Sequence, residues 1–110
     1  MNDCIFCKII NKEIPSKMIY EDENVISFYD IAPKAPVHFL VVPKEHIAST
    51  DMINEENSAI ISNVFEVIAI LSKQLNLKDG YRVINNCGLL AGQTIPHIHF
   101  HILAGKELDW

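Results

Sequence analysis

Positive charge is scarce in this chain. Lys and Arg total 9 against 14 Asp and Glu, a formal net charge of −5. Nucleic acid polymers reward basic patches, so they are excluded as the expected partner. A single nucleotide is not excluded, because backbone N–H groups can hold one. Long apolar runs are also missing. Nothing approaches the roughly 20 consecutive apolar residues of a membrane span, and the richest run, "VFEVIAIL", is broken by Glu66. No basic stretch followed by an apolar core opens the chain, so no signal peptide is read. Cysteines number 3, an odd count that suits a reducing cytoplasm better than a disulfide scaffold. Repeats, low-complexity stretches and Pro/Gly/Ser linkers are absent, and residues 1–110 read as one domain.

Hydrophobic residues make up 49% of the chain and charged ones 21%, the composition of a globular protein with a real core. Residues 6–14, "FCKIINKEI", suit a short N-terminal helix ending before Pro15. "KMIYED" and "NVISFYDI" read as two strands joined by a polar turn at residues 22–24. "APKAP" breaks the pattern, and "VHFLVVPK" follows as an apolar strand stopped by Pro43. From Asn54 the period changes. Ile61, Val64, Phe65, Ile68, Leu71 and Leu75 recur at spacings of three and four, predicting one long helix over residues 54–77. Asn54 suits its N-cap, Glu55 and Glu56 its first turn, and Gly80 its end. "YRVINN" is the next strand, "CGLLAGQT" a loop and "PHIHFHIL" the last strand. This order suggests an α+β fold with a mostly antiparallel sheet.

The last strand places histidines at every second position. Alternation puts His97, His99 and His101 on one face, with Ile98, Phe100 and Ile102 on the other. Partly exposed polar residues would account for one such histidine but not for three in strict alternation. A metal centre built from all three is disfavoured, because the outer two lie about 13 Å apart along a strand rising about 3.3 Å per residue. Catalysis remains, since histidine titrates near neutrality and serves as nucleophile or as acid and base.

"HIHFHIL" resembles the His-x-His-x-His-apolar-apolar signature of the histidine triad (HIT) family of nucleotide hydrolases and transferases. "CIFCKIINKEIP", "YEDENVISFYDIAPKAPVHFLVVPKEHI", "YRVINN", "GQTIPHIHFHILAG" and the terminal Trp110 extend the likeness over nearly the whole chain. They are similar to the Hint branch, the adenosine phosphoramidase-like members. The resemblance implies a five-stranded antiparallel sheet with one long helix, and a nucleotide-binding hydrolase that cleaves P–N bonds on AMP or GMP conjugates. It implies attack on the α-phosphorus by His99, with a covalent nucleotidyl-histidine intermediate. His101 would assist proton transfer, His38 would orient its neighbours or face the leaving group, and His97 completes the triad. The alternatives are Fhit-like dinucleoside polyphosphate hydrolysis, or a nucleotide-binding scaffold whose turnover is incidental.

The same resemblance places Asn86, Gln93 and Thr94 at the phosphate and Asp30 at the ribose hydroxyls. Phe6, Ile9, Ile14, Phe28 and Ile31 would form an apolar slot for a purine base. Gly88 and Gly92 permit close backbone approach, and the N–H groups of the Gly92 to Thr94 turn are expected to meet the phosphate charge. Trp110 in relatives reaches the other subunit's active site. Ile60 and Val67 beside the helix's main apolar stripe point to a two-fold homodimer in which the long helices and "YRVINN" strands meet.

"CIFC" raises a separate question. Cys4 and Cys7 are half of a tetrahedral zinc site, and the chain has no second pair of this spacing. His46 and His97 would complete a structural Cys₂His₂ set. A redox pair, which wants a βαβ context absent here, and two buried thiols are the other readings. Cys87 reads as an unpaired loop thiol.

Overall fold

The structure, a computed structural model, describes residues 3–110. A short helix α1 (Ile5–Ile10) leads into strands β1 (Met18–Glu21), β2 (Val25–Tyr29) and β3 (Val37–Pro43). The long helix α2 (Ser58–Gln74) follows, then β4 (Arg82–Ile84) and β5 (Phe100–Ala104). The five strands form one sheet in the order β1-β2-β3-β5-β4, and every neighbouring pair is antiparallel. The α+β expectation holds, as does the five-stranded sheet that the resemblance implied.

The polar turn between β1 and β2 forms because Asp22 Oδ1 accepts the N–H groups of Asn24 and Val25, both at 2.8 Å. A short acidic side chain thereby replaces backbone partners at the hairpin's tip. β3 lies at the sheet's centre and is buried on both faces, which is why it reads as a nearly unbroken apolar run. Phe39 and Val41 face α2, where they pack with Val64, Val67, Ile68, Leu71, Ile98, Phe100 and Ile102. Leu40 and Val42 face the other way, against Phe6, Ile9 and Phe28. The sheet therefore has α2 on one face and α1 on the other. His38, between Val37 and Phe39, falls on the α1 face.

Both helices are shorter than expected, for the same reason. α1 stops at Ile10 instead of Ile14 because Lys12 is left-handed (φ 66°). The Glu13 N–H then bonds back to the Lys8 carbonyl at 2.8 Å and the Lys12 N–H to Ile9 at 3.0 Å. α2 stops at Gln74 in the same way: Asn76 has φ 58°, Leu77 N–H bonds Ser72 and Asn76 N–H bonds Lys73. Each is a Schellman ending, which satisfies the last carbonyls without glycine. Pro15 and Gly80 lie beyond the true stops. At its start α2 loses a turn. Asn54 caps a preceding turn through Glu56 and Asn57 N–H, and Asn57 is the N-cap residue.

Two faces of α2 were also exchanged in the sequence reading. Val67 is buried, whereas Phe65 is 49% exposed and only its ring edge meets Phe100. Ile60 packs partly against the core. Val67 thus belongs to the core and offers no surplus apolar surface for a second copy.

Gly105, just after β5, closes the strand pair that carries His38 and His101. Its φ is +95°, and a Cβ there would lie 2.9 Å from Pro36 Cβ. Gly105→Ala combines a left-handed alanine with overpacking and should lower stability by about 2–4 kcal/mol. Urea unfolding with an unchanged m value would check this; a loss below about 0.5 kcal/mol would contradict the packing described.

Candidate active site

The histidine segment is not all strand. Ladder pairing begins at Phe100, opposite Val41, and residues 95–99 run irregularly before it. Pro96 has no N–H to give a ladder. His97 N–H bonds the Ile95 carbonyl at 2.8 Å, and Ile98 N–H bonds Ile47 at 2.6 Å. The alternation survives nonetheless. Ile98, Phe100 and Ile102 enter the α2 core, while the rings of His99 and His101 lie 5.0 Å apart on the opposite face.

Because His97 sits outside the ladder, its carbonyl is free to accept the ring of His99 at 2.7 Å from Nδ1. A carbonyl can only accept, so Nδ1 carries the proton and Nε2 keeps its lone pair. Asn85 Nδ2 donates to the His99 carbonyl at 2.9 Å and Thr50 Oγ1 bonds Asn85 Oδ1, which anchors the peptide behind the ring. Asn85 carries no sequence signal that separates it from Asn86.

A second proton assignment follows from the backbone. Lys34 N–H donates to His38 Nδ1 at 3.0 Å, so the His38 proton is on Nε2. That nitrogen lies 2.9 Å from His101 Nδ1 and 3.4 Å from Asp30 Oδ2. His38 therefore donates to His101, and the proton of His101 resides on Nε2. Asp30, His38 and His101 also cluster closely enough to suggest a metal. A metal on His38 Nε2 would require an imidazolate, since both nitrogens would then act as acceptors. The cluster is a hydrogen-bond relay instead.

Burial is the first cause of the lowered pKa of His38 and of His99. It also pulls His101 down to about 4, helped by the neighbouring His99 and His38 rings. The three rings are thus neutral at pH 7, as a nitrogen nucleophile needs.

These groups line a cavity of about 600 Å³, within the roughly 300–1,000 Å³ of small-molecule sites. His38, His99 and His101 are brought together there with Asp30, Ile31, Asn86, Gly92, Thr94, Phe6, Ile9, Ile14 and Phe28. Ile5, Lys34, Leu40 and Ile95 also line it and were not foreseen. Gln93 is placed elsewhere. Its Oε1 accepts Gly88 N–H at 2.9 Å, and its Nε2 donates to the Ala48 and Ile95 carbonyls. It staples the loop and does not line the cavity. The loop's amides also differ from expectation, because Gly92 N–H bonds Leu89 and Gln93 N–H bonds Gly88. Among the described residues only Thr94 N–H of that turn has no acceptor. Asn86 Nδ2 donates to Ala91 O at 2.8 Å, holding the loop closed.

His97 points away from the cavity, into a second cluster. The ligand atoms of Cys4, Cys7, His46 and His97 all lie within 4.8 Å of one another. The Nδ1 atoms of His46 and His97 are 3.1 Å apart. Cys4 Sγ is 3.3 Å from His97 Nδ1, and Cys7 Sγ is 3.3 Å from His46 Nδ1 and 3.6 Å from His97 Nδ1. A tetrahedral ion with usual metal–sulfur and metal–nitrogen bonds sets S···N near 3.6 Å and N···N near 3.3 Å, so the four atoms fit one. His97 Nε2 donates to the Pro43 carbonyl at 2.8 Å, which turns its lone pair at Nδ1 toward the cluster, as a metal ligand requires. The four residues named from sequence converge, and they could hold a metal.

Comparison with known proteins agrees with this fold. A family model described as "Scavenger mRNA decapping enzyme C-term binding" matches residues 3–108. An uncharacterised HIT-like protein of Synechococcus elongatus is 42% identical over 98% of this chain and 95% of its own length. The solved structure of a HIT family hydrolase from Clostridium thermocellum superposes with a TM-score of 0.96 at 46% identity, covering 99% of this chain and 96% of that one. A histidine triad nucleotide-binding protein from Candida albicans gives 0.84 at 36% identity, covering 98% and 82%.

Stability should fall with acid. The folded pKa of His101, about 4, lies below its ordinary 6.5, so the unfolded chain binds more protons between these values. The neutral ring's stabilisation is present above about pH 6.5 and is lost as pH falls toward 4. From pH 7 to 5, His101 should account for about 1–2 kcal/mol after allowance for solvent screening. Urea titrations at both pH values would show a smaller loss in His101→Asn; an identical loss would contradict the assignment.

Proposed function

The chain belongs to the histidine triad family, and from that premise we propose that it is a purine nucleoside phosphoramidase of the Hint-like branch. It has the fold of the HIT family hydrolases. The observation that carries the proposal is the pair of fixed tautomers, His99 with a lone pair on Nε2 and His101 with a proton on Nε2, in one cavity.

In the first step His99 Nε2 forms a bond to the α-phosphorus and the P–N bond breaks. The departing nitrogen, protonated from solvent beforehand, leaves as a neutral amine, and His101 Nε2–H donates a hydrogen bond to it without giving up the proton. In the second, water attacks phosphorus, the P–Nε2 bond breaks, and the water's proton passes to solvent. Nucleoside monophosphate leaves and His99 recovers its starting tautomer. His38 holds His101 in register through the relay. Asp30 Oδ1 already accepts Ala32 N–H, which orients its remaining lone pairs for the ribose hydroxyls. Phe6, Ile9, Ile14, Phe28 and Ile31 form the purine wall. Thr94 and Asn86 face the phosphate end; Gln93 supports them through the loop. All of this occurs without a basic patch, consistent with the chain's acidity.

Zinc is the metal that the Cys₂His₂ donor set suits, and it would act structurally by tying α1 to the sheet. The protein is further proposed to be a homodimer through β4, an edge strand with Val83 exposed, and the exposed faces of Phe65 and Ile70 on α2. Trp110 is fully exposed, so it is available to reach a partner.

Incubation with adenosine 5′-phosphoramidate should release AMP at a higher kcat/KM than diadenosine polyphosphate does. His99→Ala should bind AMP yet lose far more than tenfold in kcat; a loss of only tenfold, about 1.4 kcal/mol of barrier, would mean that another group attacks. Preference for the polyphosphate would point to dinucleotide hydrolysis instead. Protein purified without chelators should contain zinc, and removing it should lower the melting temperature. Elemental analysis that finds none would overturn the zinc assignment, and a monomer by light scattering at micromolar concentration would overturn the dimer.

A further inference from the structure

We propose that Phe6 is a positioning residue for the His99 ring, and not only a wall for the base. Its ring meets His99 at 5.0 Å between centroids and 76° between planes. It meets His97 at 5.8 Å and 81°. Phe28, the other aromatic side chain of the slot, contacts Phe6 at 5.7 Å but neither histidine. Phe6 lines the cavity but is only 3% exposed, so the packing around it, with Ile9, Phe28 and Leu40 among others, holds its ring against these histidines.

A single hydrogen bond from Nδ1 to the His97 carbonyl fixes which nitrogen is protonated. It leaves the imidazole free to swing about that bond. Phe6 stands against the ring nearly edge to face, the favoured arrangement of aromatic pairs, and blocks the swing. Phe6 is itself held on both sides in sequence. Cys4 caps α1, with its sulfur 3.4 Å from Cys7 N, and Cys4 and Cys7 both belong to the four-ligand cluster. A helix of 6 residues has little stability of its own, so its packing decides where Phe6 stands. The ligand cluster therefore reaches His99 by two routes, through the His97 carbonyl and through Phe6. This inference rests on His99 as the nucleophile.

The test separates positioning from base binding. Phe6→Leu keeps an apolar wall and removes the ring. It should lower kcat on adenosine 5′-phosphoramidate by about ten- to a hundredfold while the AMP Kd, by calorimetry, changes less than about threefold. Phe6→Met serves the same purpose as the leucine variant if that chain does not fold. A readout that needs no turnover is the imidazole ¹⁵N spectrum. In the wild type His99 should show one protonated and one unprotonated nitrogen, and in Phe6→Leu these signals should move toward a tautomer mixture. A phosphoramidase reading that failed would leave this spectrum interpretable. A raised AMP Kd with unchanged kcat and unmoved His99 signals would show that Phe6 only lines the slot, and would overturn the inference.

Discussion

The hydrogen bond from His99 Nδ1 to the His97 carbonyl is the contact on which the rest of the site depends. It leaves the lone pair on Nε2, the nitrogen proposed to attack phosphorus, on a ring that lines the cavity. It is available only because the chain leaves the β ladder at this point. A carbonyl paired to a neighbouring strand would have no place for a ring two residues on. Pro96 and the tight turn at His97 keep residues 95–99 out of the ladder. The side chains then alternate as in a strand, but the backbone serves the side chains instead of the sheet.

His97 is held in several directions. Its N–H bonds Ile95, its Nε2 bonds Pro43, its Nδ1 meets the cysteine cluster and its carbonyl holds His99. One residue of the triad thus makes structural contacts that fix the ring of its neighbour. The relay from Lys34 N–H through His38 to His101 is built in the same manner, with a backbone donor fixing the first tautomer and each ring fixing the next. The protons of His38, His99 and His101 each have an assigned nitrogen, and a preorganised site of this kind needs little rearrangement during the reaction. Burial keeps these rings neutral, and the same burial makes the fold sensitive to acid.

Period two was the most legible signal in the sequence. His99 and His101 fell together on one face as the alternation required, whereas His97 turned to the cysteine cluster and the expected strand began only at Phe100. Cys4 and Cys7 were legible as a ligand pair by spacing, and His46 and His97 by what the catalytic assignments left over. Helix ends were less legible. Lys12 and Asn76 terminate their helices in left-handed conformations, and neither residue type announces this as glycine would. Val67 and Phe65 were exchanged because two residues of similar hydrophobicity lie near the edge of the apolar stripe, where a small rotation of α2 decides which is covered. Gln93 was sent to the phosphate because its neighbours Gly92 and Thr94 line the cavity. Its amide turns instead to the backbone of Gly88, Ile95 and the distant Ala48, a choice that no local pattern encodes.

The central claim is that His99 Nε2 becomes bonded to phosphorus during turnover. The most direct measurement is peptide mass spectrometry after rapid quenching in base, which preserves a phosphorus–nitrogen bond to histidine. Quenched during turnover of adenosine 5′-phosphoramidate, the chain should carry an adenylate, and fragmentation should place it on His99. An adenylate on His101, on His38 or on any other side chain would contradict the account.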